Sequence, residues 1–129
     1  MRFYSTAALA VAGALTASAA PAKRQAYAPT DVDILQFALT LEHIENVFYK
    51  QALSTMSEED FTNAGFTSDF FNDLKYIAFD EQNHVLFLES ALKTAGATPV
   101  QACTYDFGNI STPMSFIGTA AVVEGVGGK

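Results

Sequence analysis

The sequence predicts an all-α protein: an antiparallel helical bundle of two long helices and a short third one. Three observations predict it. Residues Asp31 to Leu53 and Asp69 to about Ala95 each repeat apolar side chains at helical spacing. Each run opens on a residue suited to capping a helix, and the second closes on Gly96. A third run follows Ser111-Thr112-Pro113, where proline suits the first helical turn.

Ahead of these elements, MRFYSTAALAVAGALTASAA has the build of a secretory signal peptide. It has a basic Arg2, an apolar run from Phe3 to Leu15 and small residues at Ala17-Ser18-Ala19. Residues 1–19 are therefore expected to be removed and the protein to be secreted. The apolar run is short for a membrane span and no second one follows, so no membrane partner is expected after removal of the leader. Lys23-Arg24 reads either as a site for a kexin-type protease, making 20–24 a propeptide, or as a charged flank. The folded unit is expected within 25–129.

Thr30-Asp31-Val32-Asp33 fits a capping box at the start of the first helix. Ile34, Leu35, Ala38, Leu41, Val47 and Phe48 give that helix apolar residues over more than one stripe, which predicts burial on several sides. Ser57-Glu58-Glu59-Asp60 suits one short turn of helix before Ala64-Gly65-Phe66 breaks the pattern. Ser68 is the expected N-cap of the second helix, with Leu74, Ile77, Ala78, Phe79, Val85, Leu88 and Leu92 as its core residues. Phe70, Phe71 and Phe87 are also read as core. Pro99 opposes a helical restart, and 100–109 reads as an extended connection. Glycine and β-branched residues make the third helix weak on propensity alone.

The formal net charge of −7 argues against binding nucleic acid, which needs a basic surface, and against docking on anionic membranes. There is no glycine-rich phosphate loop and no internal repeat. The single cysteine, Cys103, is unusual for a secreted chain: it is buried, pairs between chains or lacks its partner.

The stretch DEQNHVLFLES places Glu81 three residues before His84 in an otherwise apolar helix. If the two long helices form an antiparallel hairpin, Glu42 and Glu81 both stand roughly 17 Å from the connection, at ~1.5 Å rise per residue. They are then level, with His84 one turn further on the face of Glu81. These residues read either as metal ligands or as a polar pair at the edge of the core. Carboxylates suit hard cations and imidazole suits iron or zinc. A glutamate facing Glu-x-x-His is half of a carboxylate-bridged two-metal site in a four-helix bundle, although Glu-x-x-His alone is a weak motif. His43 points about 100° away from Glu42 and reads as a surface or interface histidine. Glu45 reads as a solvated acid in preference to a group supporting the site. Tyr49 reads either as a partner of a ligand carboxylate or as core.

LEHIENVFYKQAL, DEQNHVLFLESAL, ATPVQACTYDFG and AAVVEGVGG together resemble the ferritin-like domain of secreted fungal stress-response proteins, a domain that plant desiccation-related proteins share. The resemblance runs from about Asp31 to Gly127. It implies a ferritin-like bundle in which Glu42, followed seven residues later by Tyr49, is the first-helix ligand. It further implies that Glu81 and His84 are the second-helix ligands and Glu124 the third-helix glutamate, with iron or manganese as cofactor. For Cys103 it implies a structural disulfide whose partner would lie beyond this chain. The sequence departs from the family after Glu124, where the fourth helix and its second Glu-x-x-His are missing, so an incomplete bundle is expected. A homodimer would supply Glu42, Glu81 and His84 twice. Two functions stay open: a metal protein with iron or manganese redox chemistry, and a non-catalytic stress-associated scaffold or fragment.

Overall fold

The computed structural model describes residues 28–127; the leader, the dibasic pair and the last two residues lie outside them. Four helices follow one another: α1 (Asp31–Thr55), α2 (Glu58–Asn63), α3 (Ser68–Thr94) and α4 (Pro113–Gly127). The all-α bundle is as predicted, and the expected short turn is α2.

Local chemistry sets each boundary. Thr30 and Asp33 exchange hydrogen bonds at the start of α1: Asp33 N–H donates to Thr30 Oγ1 at 3.2 Å and Thr30 N–H to Asp33 Oδ2 at 2.8 Å. Ser57 and Asp60 repeat the box at α2. The N-cap of α3 is Thr67, not Ser68; its hydroxyl accepts from Phe70 N–H at 3.1 Å. Serine and threonine stand side by side here and either can cap, so only the backbone turn decides between them. The α2 and α3 termini share one device. Gly65 (φ 94°) and Gly96 (φ 75°) take the left-handed conformation. This lets Phe66 N–H reach the Phe61 carbonyl at 3.0 Å and Ala97 N–H the Leu92 carbonyl at 2.9 Å.

α1 and α3 pack antiparallel, and α4 lies against α1. The core falls into two clusters. Phe48, Tyr49, Ala52, Met56, Phe61, Phe71, Leu74, Ile110, Phe116 and Ala120 form one; Leu39, Val85, Leu88 and Leu92 form the other. Phe116 of α4 stacks on Phe48 with ring centroids 5.1 Å apart, which fastens α4 to the hairpin. From there α4 runs back along α1, and Val122, Val123 and Val126 line a small cavity together with Leu41 and Ile44.

Three core expectations need correction. Phe79 and Phe87 are exposed, as is Ile34. Phe79 and Phe87 lie with Tyr76 and Leu86 on a second apolar stripe of α3, opposite the buried one, and helical periodicity alone cannot tell which stripe is covered. Among the described residues, no helix is long and apolar enough to cross a membrane.

Candidate metal centre

Between the two clusters the hairpin turns polar. α1 carries Glu42, Glu45 and Tyr49 at spacings of three and four residues, which sets all three on one ridge. α3 brings Glu81 and His84 opposite, and α4 brings Glu124. His84 Nδ1 stands 3.2 Å from Glu42 Oε2 and 3.1 Å from Glu81 Oε2. One ligand atom from each of these three residues lies within 4.8 Å of the other two. Glu81 is buried, Glu42 half-buried and His84 exposed, so the set opens to solvent on the imidazole side. The three front a cavity of about 360 Å³, together with Glu45 and Glu124.

The electrostatics follow from carboxylates crowded in a partly dry place. Burial, reinforced by the adjacent Glu42, raises the Glu81 carboxyl above its usual range, and the hydrogen bond with His84 only partly offsets this. For His84, burial acts to lower the pKa, but bonding to Glu81 and the charges of Glu42 and Glu81 outweigh it, so the imidazole is raised. Burial, and then repulsion from Glu42, Glu81 and Glu124, pushes Glu45 up to about 7. Tyr49 is raised by burial and by donating its hydroxyl to Glu124 Oε1 at 2.7 Å.

Two carboxylates and an imidazole converging this closely form a donor set that fits iron, manganese or zinc. Glu42, Glu81 and His84 thus come together as their level placement predicted. Glu124 lines the same cavity but stands outside the trio, held by Tyr49. The Tyr49 ring is core, as one of its readings has it, and its hydroxyl donates to the Glu124 carboxylate, not to one of the trio.

Two residues depart from their readings. Glu45 is not solvated: it is 7 % exposed, because α4 lies over it. Its spacing from Glu42 and Tyr49 was the signal that could have found it. His43 is buried too, and its Nε2 pairs with the Val100 carbonyl at 3.0 Å. The extended segment crosses that face of α1 and is clamped further by Gln36. Gln36 Nε2 donates to the Thr98 carbonyl at 2.7 Å, and its Oε1 accepts from Val100 N–H at 2.8 Å. Cys103 is a free, exposed thiol.

A family model described as "Ferritin-like domain" matches residues 30–129. Comparison with curated proteins gives no match.

Proposed function

The chain belongs to the ferritin-like domain family, and from that premise we propose that it is a secreted metal protein in which Glu42, Glu81 and His84 hold iron or manganese. The observation that carries the reading is the approach of His84 Nδ1 to both carboxylates, at 3.2 and 3.1 Å, across two helices. The leader-like first nineteen residues support secretion, and the resemblance to stress-response and desiccation-related proteins supports a protective role.

Each residue has a defined part. Glu42 and Glu81 supply negative charge from opposite helices, so the hairpin itself fixes their separation. His84 gives up its Nδ1 proton when that nitrogen becomes a ligand, which makes binding pH-dependent. Tyr49 holds Glu124 at the cavity's edge. A bound iron or manganese ion would supply what no side chain here can, one-electron exchange with dioxygen or peroxide. Ferrous oxidation or peroxide removal is the reaction class this supports.

The open side of the site is rimmed by Ile34 and Phe37, both exposed. A second copy across that rim would cover these apolar side chains and bring a second Glu42/Glu81/His84 set, as a two-fold dimer requires.

Elemental analysis and light scattering on one chromatographic peak of the purified chain test the proposal. At least one iron or manganese ion per chain is expected, lost in His84→Ala while the helical circular dichroism is retained. A chain that stays metal-free when titrated with Fe(II) or Mn(II) at neutral pH would refute it.

A further inference from the structure

The connection between α3 and α4 carries a signal that the metal centre does not absorb. Of the chain's asparagines, only Asn109 is followed two positions on by a hydroxyl residue, Ser111, and the residue between them, Ile110, is not proline. Asn-x-Ser is the acceptor pattern for N-linked glycosylation, which acts on surface segments of secreted chains. A tripeptide this short recurs by chance, so its local structure decides whether a sugar fits there.

Asn109 and Ser111 are exposed, whereas Ile110 is 6 % exposed and belongs to the aromatic core cluster. The buried isoleucine pins the tripeptide to the bundle and leaves its two outer residues in solvent. Asn109 Oδ1 accepts from Ser111 N–H at 3.2 Å and from the Ser111 hydroxyl at 2.6 Å. A backbone N–H can only meet the oxygen of the side-chain amide, so Nδ2 is its open end. Nothing among the described residues accepts a hydrogen bond from Nδ2. The Ser111 hydroxyl has no competing task in starting α4. That turn is closed by Ser115 N–H donating to Thr112 Oγ1 at 3.2 Å and Thr112 N–H to Ser115 Oγ at 3.1 Å. A sugar on Nδ2 therefore displaces no core side chain and breaks none of these bonds.

We propose that Asn109 is an N-glycosylation site that carries an oligosaccharide on Nδ2. The proposal rests on the secretion part of the reading above and is independent of the metal. The donor class is an oligosaccharide joined through pyrophosphate to a membrane isoprenoid. Nδ2 forms a bond to the anomeric carbon of the sugar and gives up one proton. The bond from that carbon to the pyrophosphate oxygen breaks, and the lipid pyrophosphate leaves with the electron pair; nothing is oxidised or reduced. Ile110 fixes the glycan at the aromatic end of the bundle, whereas Ile34 and Phe37 front the open side of the metal centre. The sugar thus covers one end and leaves that rim accessible.

The test is expression of the full chain, leader included, in yeast. Intact and peptide masses are measured for the chain recovered from medium and from cells, before and after treatment with peptide N-glycosidase. The chain in the medium is expected to lose the mass of a single oligosaccharide on treatment, with Asn109 converted to aspartate by the release. Asn109→Gln and Ser111→Ala are expected to reach the medium without the sugar, whereas Ser111→Thr, which preserves the acceptor pattern, retains it. A chain in the medium with the mass of the bare polypeptide would overturn the site and leave secretion standing. A sugar that resists the N-glycosidase, or one that persists in Asn109→Gln, would overturn the site as well. A chain kept in the cytosol with its leader attached would remove secretion and the site together. Should the variants misfold and stay in the cell, wild type decides alone: conversion of Asn109 to aspartate on release supports the site, and an unchanged Asn109 overturns it.

Discussion

Toward the α1/α3 connection the core is aromatic and built from all four helices; toward the other end it is aliphatic, formed by α1 and α3 and closed by an extended segment. In the first region Phe48 meets the rings of Tyr49, Phe107 and Phe116 at 5.4, 5.1 and 5.1 Å. In the second, Leu39, Val85, Leu88 and Leu92 pack beneath Ala97 and Val100, and polar side chains, Gln36 and His43, hold the covering segment down. The acid-histidine layer lies at the border. Apolar packing on both sides sets the spacing of α1 and α3, so the carboxylates cannot relax apart even though they repel. The difference between the regions indicates that the aromatic one is the scaffold and the aliphatic one its thinner continuation.

Truncation is the strongest way to break this comparison. Phe48→Ala removes a fully buried ring that also seats α4, and is expected to cost about 4 kcal/mol. Leu92→Ala, equally buried in the other cluster, is expected to cost about 3 kcal/mol and to leave α4 docked. Urea unfolding gives both losses, and near-ultraviolet circular dichroism reports the aromatic cluster. If Leu92→Ala abolished the aromatic signal while the chain stayed helical, the two regions would be one cooperative core.

Acidity probes the layer between them. Glu45 is raised from an ordinary 4.5 to about 7 in the folded chain. Above 4.5 the unfolded chain releases this proton while the folded chain retains it, so stability falls as pH rises toward 7 and beyond. Glu81 and His84 are also raised and act in the same direction. The metal-free protein should therefore melt lower at pH 8 than at pH 5, with roughly 2 kcal/mol of the loss due to Glu45. In Glu45→Gln that share should vanish. A melting profile in chelator that rises with pH would contradict the burial of these groups as carboxylic acids.

How far the sequence revealed all this depends on what each residue's partner is. The capping boxes, the glycine stops and the pairing of Glu42 with Glu81 and His84 follow from spacing along one helix or between two adjacent ones, and these were legible. Glu45 and His43 were not. Their burial comes from elements that cross α1 from a distance: α4 over Glu45, and the segment near Val100 over His43. Neither crossing leaves a mark in the local pattern. The same blindness explains Phe79 and Phe87. α3 has two apolar stripes, and which one becomes core is decided by where α1 lies, not by α3 itself.

The mildest perturbation falls on the one residue that belongs to both the scaffold and the layer. The Tyr49 ring packs edge-on against Phe48 and Phe116, while its hydroxyl donates to Glu124. Tyr49→Phe keeps the ring contacts and deletes a single hydrogen bond. Glu124 is an exposed residue, so water can replace the lost donor, and the expected cost is about 1 kcal/mol. That is well below the loss from Phe48→Ala, because shape anchors α4 and the hydroxyl only aims its carboxylate. Denaturant unfolding separates the two contributions. If Tyr49→Phe destabilised the chain as strongly as Phe48→Ala, the polar bond and not the aromatic stack would be what holds α4 in place, and the scaffold would extend into the acid layer.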